Sequence, residues 1–150
     1  MITDLFVHAV HQGGMRVLAK SAGHQVLMDY PLQPGETGTG MTPLQMLLAS
    51  LAGCSVNSVM AVLKKMNQAV EGLEVEAHAT RRQEHPTVLT EMSLQFTVKG
   101  SDVAPDAVAR AIKMSEEKLC PVWNMLKGGT PIRTSFHVES LISEQSAVVD

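Results

Sequence analysis

Charge is scarce in this chain of 150 residues: Asp, Glu, Lys and Arg make up 18% of it, against roughly 25% in an ordinary globular protein. With 45% of the residues hydrophobic, the deficit points to more surface to hide than one folded unit needs, and so to self-association. Basic runs are missing too. The net charge is -3, and lysine and arginine cluster no further than the pairs Lys64-Lys65 and Arg81-Arg82. No basic face suits a phosphate backbone, so nucleic acid is not an expected partner. The start, MITDLFVHAV, has no basic stretch, apolar core and small-residue cleavage site of a secretory signal. A cytoplasmic location is expected.

Metal spacing is also absent. Among the six histidines only His8 and His11 are close, and no carboxylate or cysteine completes a tetrahedral set. PGETGTGMT lacks the lysine and the preceding apolar strand of a phosphate loop. No metal or bound cofactor is expected.

What is present is patterned enough for one domain. Leu5 to Val10 and Met15 to Lys20 flank Gln12-Gly13-Gly14 and predict a hairpin, and HQVLMDY follows as a third strand after Ser21-Ala22-Gly23. PLQPGETGTG reads as a loop. Thr42-Pro43 then starts a long helix to about Met66, with threonine as N-cap and proline at the first helical position. LEVEAHAT and EMSLQFTV alternate with a period of two and predict an antiparallel strand pair across QEHPT. A second helix is expected from Pro105 to about Leu119, burying Val108, Ala111, Ile112 and Ser115. A short third follows, with Cys120 at its N-cap, Pro121 next, Lys127 in the last turn and Gly128 as stop. PIRTSFHVES is the last strand, with Ile132, Phe136 and Val138 turned inward, and the tail from Ile142 is expected to fray.

The long helix carries no charge from Met41 to Leu63. About 20 such residues span a bilayer, but Gln45, Ser50, Ser55, Asn57 and Ser58 would sit in hydrocarbon, and no second span or aromatic belt accompanies them. A central helix, buried by its own sheet and by a second subunit, is the better reading. Ala49 and Gly53 permit a close approach on one face, while Ser50, Cys54 and Ser58 form a small polar stripe beside it. The ten methionines are read as adaptable core filler.

The chain has two cysteines, and in a reducing compartment a structural disulfide between them is not expected. They are either small buried hydrophobes or reactive thiols. Cys54 lies mid-helix, where the helix dipole does little for a thiolate, so a cation must come from elsewhere: Arg16, Arg81 and Arg82 are the candidates. Cys120, at an N-cap, is the better thiolate on local electrostatics alone. Spacing does not say whether the two sulfurs meet.

TPLQMLLASLAGCSVNSVMAVLKK, followed far downstream by EKLCPVWNML, resembles the OsmC/Ohr superfamily of thiol peroxidases, and ATRRQEHP resembles its YhfA-like branch. The resemblance implies an α+β, OsmC-like fold of antiparallel strands around a long central helix, forming an intertwined homodimer. It implies that Cys54 attacks an organic hydroperoxide to give a sulfenic acid and that Cys120 resolves it as a disulfide. An external dithiol reductant then resets the pair. Arg16 becomes the activating cation, and Gln45, Ser50 and Ser58 become substrate-binding or orienting residues. Active peroxidases of the family carry a glutamate directly after the helix-starting proline, where this chain has Leu44 followed by Gln45. That departure motivates an alternative, a non-peroxidase redox sensor or small-molecule-binding relative.

Overall fold

The computed structural model describes residues 3–141; the frayed tail expected from Ile142 lies outside them. The chain folds as two compact units, one up to Leu47 and the other from Leu48.

In the first unit, β1 (His8–His11), β2 (Val17–Ser21) and β3 (His24–Met28) form an antiparallel sheet in that order. Gly13 and Gly14 take φ of 92° and 58°, as the hairpin expectation required. The second turn is tighter. Ala22 and Gly23 both have positive φ, 48° and 80°, and Ser21 pairs with His24, the signature of a two-residue hairpin turn matching strand twist. The loop after Tyr30 returns to β3. Met41 bridges Met28 in parallel, and the Asp29 amide donates to the Met41 carbonyl at 3.1 Å. Gly40 makes that return possible, because a side chain there would run into the Leu27 carbonyl.

Helix α1 (Pro43–Lys65) begins as expected. Its start is a reciprocal cap: the Gln45 amide donates to Thr42 Oγ1 at 3.2 Å, and the Thr42 amide donates to Gln45 Oε1 at 2.9 Å.

In the second unit, β4 (Val70–Arg81) and β5 (Leu89–Gly100) pair antiparallel, and β6 (Ile132–Ser140) joins β5 in parallel, giving the order β4-β5-β6. The period of two sorts the faces as expected: Met92, Leu94, Phe96 and Val98 are buried, opposite half-buried Val75, Ala77 and Ala79. Leu51, Val59 and Leu63 of α1, and Val108, Ala111 and Ile112 of α2 (Pro105–Met114), complete one core with Cys120 and Trp123. Each such large apolar side chain contributes about 1.5–3 kcal/mol by leaving water.

Two expectations are corrected. The second helix does not run as one α-helix to Leu119. It ends at Met114 and widens into a π-turn, Ser115–Leu119, closed by the Cys120 amide donating to the Ser115 carbonyl at 2.9 Å. Pro121 drives the residue before it out of helical geometry, and Cys120 sits at φ -80° and ψ 106°. The wide turn satisfies its amide while Ser115 stays on the buried face.

Phe136 is also not inward. It shares the core face of the sheet, paired with Phe96, but is 39% exposed. The edge position of β6 leaves it lining a groove of about 360 Å³ with Ile112, Lys113 and Glu116, which the turn only partly covers. Within the protomer, α1 buries the stripe Leu51, Ser55, Val59, Val62 and Leu63. By length and composition α1 is able to cross a membrane, yet this stripe packs into the protein's own core. Ala49, Gly53, Asn57 and Ala61 face outward.

Candidate active site

Cys54 and Cys120 are brought together within the second unit, both as free thiols. Helical spacing sets Cys54 beside the buried stripe of α1, so its side chain is half-buried and packs at the rim of the core. Cys120 reaches the same place from the other end of the sequence. The π-turn and Pro121 set it at the N-cap of α3 (Pro121–Leu126), with no solvent exposure.

The surroundings of Cys120 are specific. Its Sγ accepts from the Trp123 amide at 3.4 Å, and Ser55 Oγ lies 3.8 Å from the same sulfur. Asn124 Nδ2 donates to the Cys120 carbonyl at 2.9 Å and to the Glu116 carbonyl at 3.2 Å, tying the turn to the helix that follows. Burial pushes the Cys120 thiol above its ordinary range, and the neighbouring Cys54 thiol pushes the same way. The Trp123 amide and the Ser55 hydroxyl pull it down without cancelling the burial. The acidification expected of a thiol at this N-cap is therefore outweighed by its burial. An N-cap acidifies a thiol only where the charge it creates is also solvated, and here the core withholds water.

The other expected site residues lie elsewhere or are otherwise engaged. Ser58 Oγ donates to the Cys54 carbonyl at 2.9 Å, a bond back to its own helix. Ser50 is on the exposed side of α1. Gln45 spends its carbonyl on the Thr42 amide. Arg81 donates to Thr87, through Nε to the carbonyl at 3.2 Å and through Nη2 to Oγ1 at 2.6 Å, and Arg82 Nε donates to the Glu84 and Pro86 carbonyls. Both arginines brace the β4-β5 turn.

Arg16 belongs to the first unit, where its charge helps to keep the Asp29 carboxyl ionised. The larger causes there are the Thr39 amide and hydroxyl, which donate to Asp29 Oδ2 at 2.9 and 2.8 Å and hold its pKa below the usual range. Arg16, Asp29, Tyr30 and Thr39 line a cleft of about 600 Å³.

Ser55 and the Gln45 half of the Thr42 cap were not anticipated, and both had signals. Ser55 falls four residues from Leu51 and four from Val59, which predicts burial, and T-x-x-Q before an apolar run is a capping box. Asp29 and Thr39 carried no signal, since their bond depends on where the loop returns. Among the described residues no group of three His, Cys, Asp or Glu could hold a metal ion.

Two sheets, a long helix threading a thiol into the core and a second thiol capping a short helix define the class of fold. The profile of the OsmC-like protein family matches residues 35–135, and the chain belongs to that family. Protein YhfA of Escherichia coli is 39% identical over 127 residues, covering 83% of this chain and 91% of that protein. An OsmC-like protein from Mycoplasma pneumoniae superposes with a TM-score of 0.81 at 20% identity, covering 92% of this chain and 99% of that one. The organic hydroperoxide resistance protein OhrB of Bacillus subtilis gives a TM-score of 0.65 at 18% identity, over 90% and 98%.

Proposed function

We propose that the protein is a cysteine-based peroxidase that reduces organic hydroperoxides. The observation that carries this reading is the pairing of two free thiols of unequal access, Cys54 half-buried at the rim and Cys120 fully buried behind it. The accessible thiol suits attack on a substrate; the enclosed one suits attack on whatever forms at its neighbour. In the first step the Cys54 thiolate attacks the distal peroxide oxygen. The O–O bond breaks, an S–O bond forms, and the sulfenic acid is left with an alcohol as second product. In the second step Cys120 displaces hydroxide from Cys54, which leaves as water once protonated, and the disulfide is closed. An external dithiol then restores both thiols by exchange. The resistance to organic hydroperoxides named for the Bacillus subtilis neighbour agrees with this substrate class.

The resemblance gives Arg16 the role of activating cation, and Arg16→Gln is expected to slow sulfenate formation by about tenfold or more. A homodimer in a reducing, cytoplasmic setting belongs to the same reading. Its support is the exposed small-residue face of α1 and the exposed run Leu5, Phe6 and Val7.

The test is direct. Reduced protein is mixed with substoichiometric cumene hydroperoxide, and thiol loss and intact mass are followed by stopped-flow and quench. A rapid intramolecular disulfide, absent in Cys54→Ser, is expected. Oxidation no faster than that of an ordinary free thiol would sink the peroxidase and leave the second reading, a redox sensor or small-molecule-binding protein. That reading is favoured by the start of α1, where Leu44 and a Gln45 committed to capping stand at the family's glutamate position.

A further inference from the structure

Ser55 is 1% exposed, on the stripe of α1 where its neighbours at helical spacing, Leu51 and Val59, are apolar. A buried hydroxyl without a partner is destabilising, and the partner here is the Cys120 sulfur at 3.8 Å. The Trp123 amide reaches the same sulfur at 3.4 Å. While Cys120 is a thiol, the hydroxyl is free to give or to receive the bond. Once the proton leaves, sulfur is an acceptor only, and the amide and the hydroxyl both become donors to a charge.

We propose that Ser55 is a positioning residue of the thiol pair: with the Trp123 amide it forms a two-donor seat that holds the Cys120 sulfur as an anion inside an apolar core, allowing the buried thiol to act as nucleophile. The seat stands on geometry, while its use in the second step rests on the peroxidase reading. In that step the Cys120 thiolate attacks the sulfenic sulfur of Cys54, the S–S bond forms, and the S–O bond breaks. The oxidant is the hydroperoxide already consumed. Ser55 directly follows Cys54 in α1, so the helix that presents the electrophile also carries one of the donors. The titratable group facing the seated sulfur is the Cys54 thiol. On the π-turn, Glu116 is held by Thr134 Oγ1 at 2.8 Å, and Glu117 and Lys118 are exposed. Cys120 belongs to an apolar core cluster that includes Leu94 and Phe96 of β5 and Ala111 and Ile112 of α2.

Two measurements test the seat. In a Cys54→Ser background Cys120 is the sole cysteine, and its thiolate is titrated by ultraviolet absorbance through the alkaline range. Adding Ser55→Ala is expected to move the midpoint to higher pH, and Ser55→Thr, which keeps the hydroxyl, to move it back. In the otherwise unmodified chain, Ser55→Ala is expected to slow disulfide closure at neutral pH about three- to tenfold, with the sulfenate trapped by a dimedone probe for correspondingly longer. A purely structural serine would shift thermal stability and leave the titration in place. Superimposed titration curves with and without the hydroxyl would overturn the proposal. If the unmodified chain forms no sulfenate with cumene hydroperoxide, the peroxidase reading fails and the titration alone decides the seat.

Discussion

The sulfur of Cys120 accepts the Trp123 amide at 3.4 Å, so the thiol assigned to close the disulfide is also the side chain that caps α3. That amide belongs to the chain's single tryptophan, so a disulfide formed at Cys120 would change the surroundings of its indole. Tryptophan emission is therefore expected to change in step with thiol loss on oxidation, and to stay constant in Cys54→Ser. Cys120→Ala loses both cap and packing and should cost roughly 1–2 kcal/mol in denaturant unfolding. Cys120→Ser, which keeps a capping oxygen, should cost less.

The suppressed ionisation of the buried Cys120 thiol makes stability fall at alkaline pH. Burial favours the neutral thiol in the folded state, so the unfolded chain gives up its proton first. The stabilising contribution is complete below the unfolded thiol's pKa of about 8.5 and is lost as pH rises through the folded value, at up to about 1.4 kcal/mol per pH unit. Melting temperatures measured from pH 7 upward should fall more steeply for the reduced native chain than for Cys120→Ser.

Asp29 acts at the opposite end of the scale. Thr39 stabilises its charged form, so this contribution is present above about pH 4 and is lost as pH falls through the depressed folded value. The carboxylate also holds the loop by its far end. Asp29→Asn should flatten the acid limb of the stability profile, and Asp29→Ala should expose the 31–40 loop to limited proteolysis at neutral pH.

The reciprocal cap predicts where α1 is fragile. Thr42 and Gln45 each satisfy the other's amide, so Thr42→Ala should lower stability by about 1 kcal/mol in denaturant unfolding. Gln45→Ala should lower it by less, since one of the two bonds survives.

These features differ in how far they showed in the sequence. The β4-β5 pair was legible because each strand writes its two faces in alternation, Glu74, Glu76 and His78 against Val75, Ala77 and Ala79. Three helix starts were marked by Pro43, Pro105 and Pro121. The π-turn was not, because SEEKL has good helical propensity; what opens it is the combination of Pro121 after Cys120 with a core that retains Ser115. Phe136 was read correctly for face and wrongly for burial, since alternation does not show that β6 is an edge. Both cysteines stood out as candidate thiols and took their roles from the resemblance, but their unequal burial, on which the division of labour turns, arises from packing across 66 residues of chain.

Gly53 offers a test of the homodimer in which two effects have opposite signs. It lies on the exposed face of α1, and a Cβ there would meet nothing within 4 Å. In a lone protomer, Gly53→Ala would stabilise the helix by up to about 1 kcal/mol, because glycine is the poorer helix former. In a dimer packed through this face, the same methyl group removes the close approach that glycine permits, and a larger side chain removes more. The native chain is expected to run as a dimer in light scattering at micromolar concentration, with a melting temperature that rises with concentration. Gly53→Phe should run as a monomer of unchanged helical content, its melting temperature independent of concentration. A native chain that is already monomeric, or a Gly53→Phe dimer as tight as the native one, would remove this face from the interface.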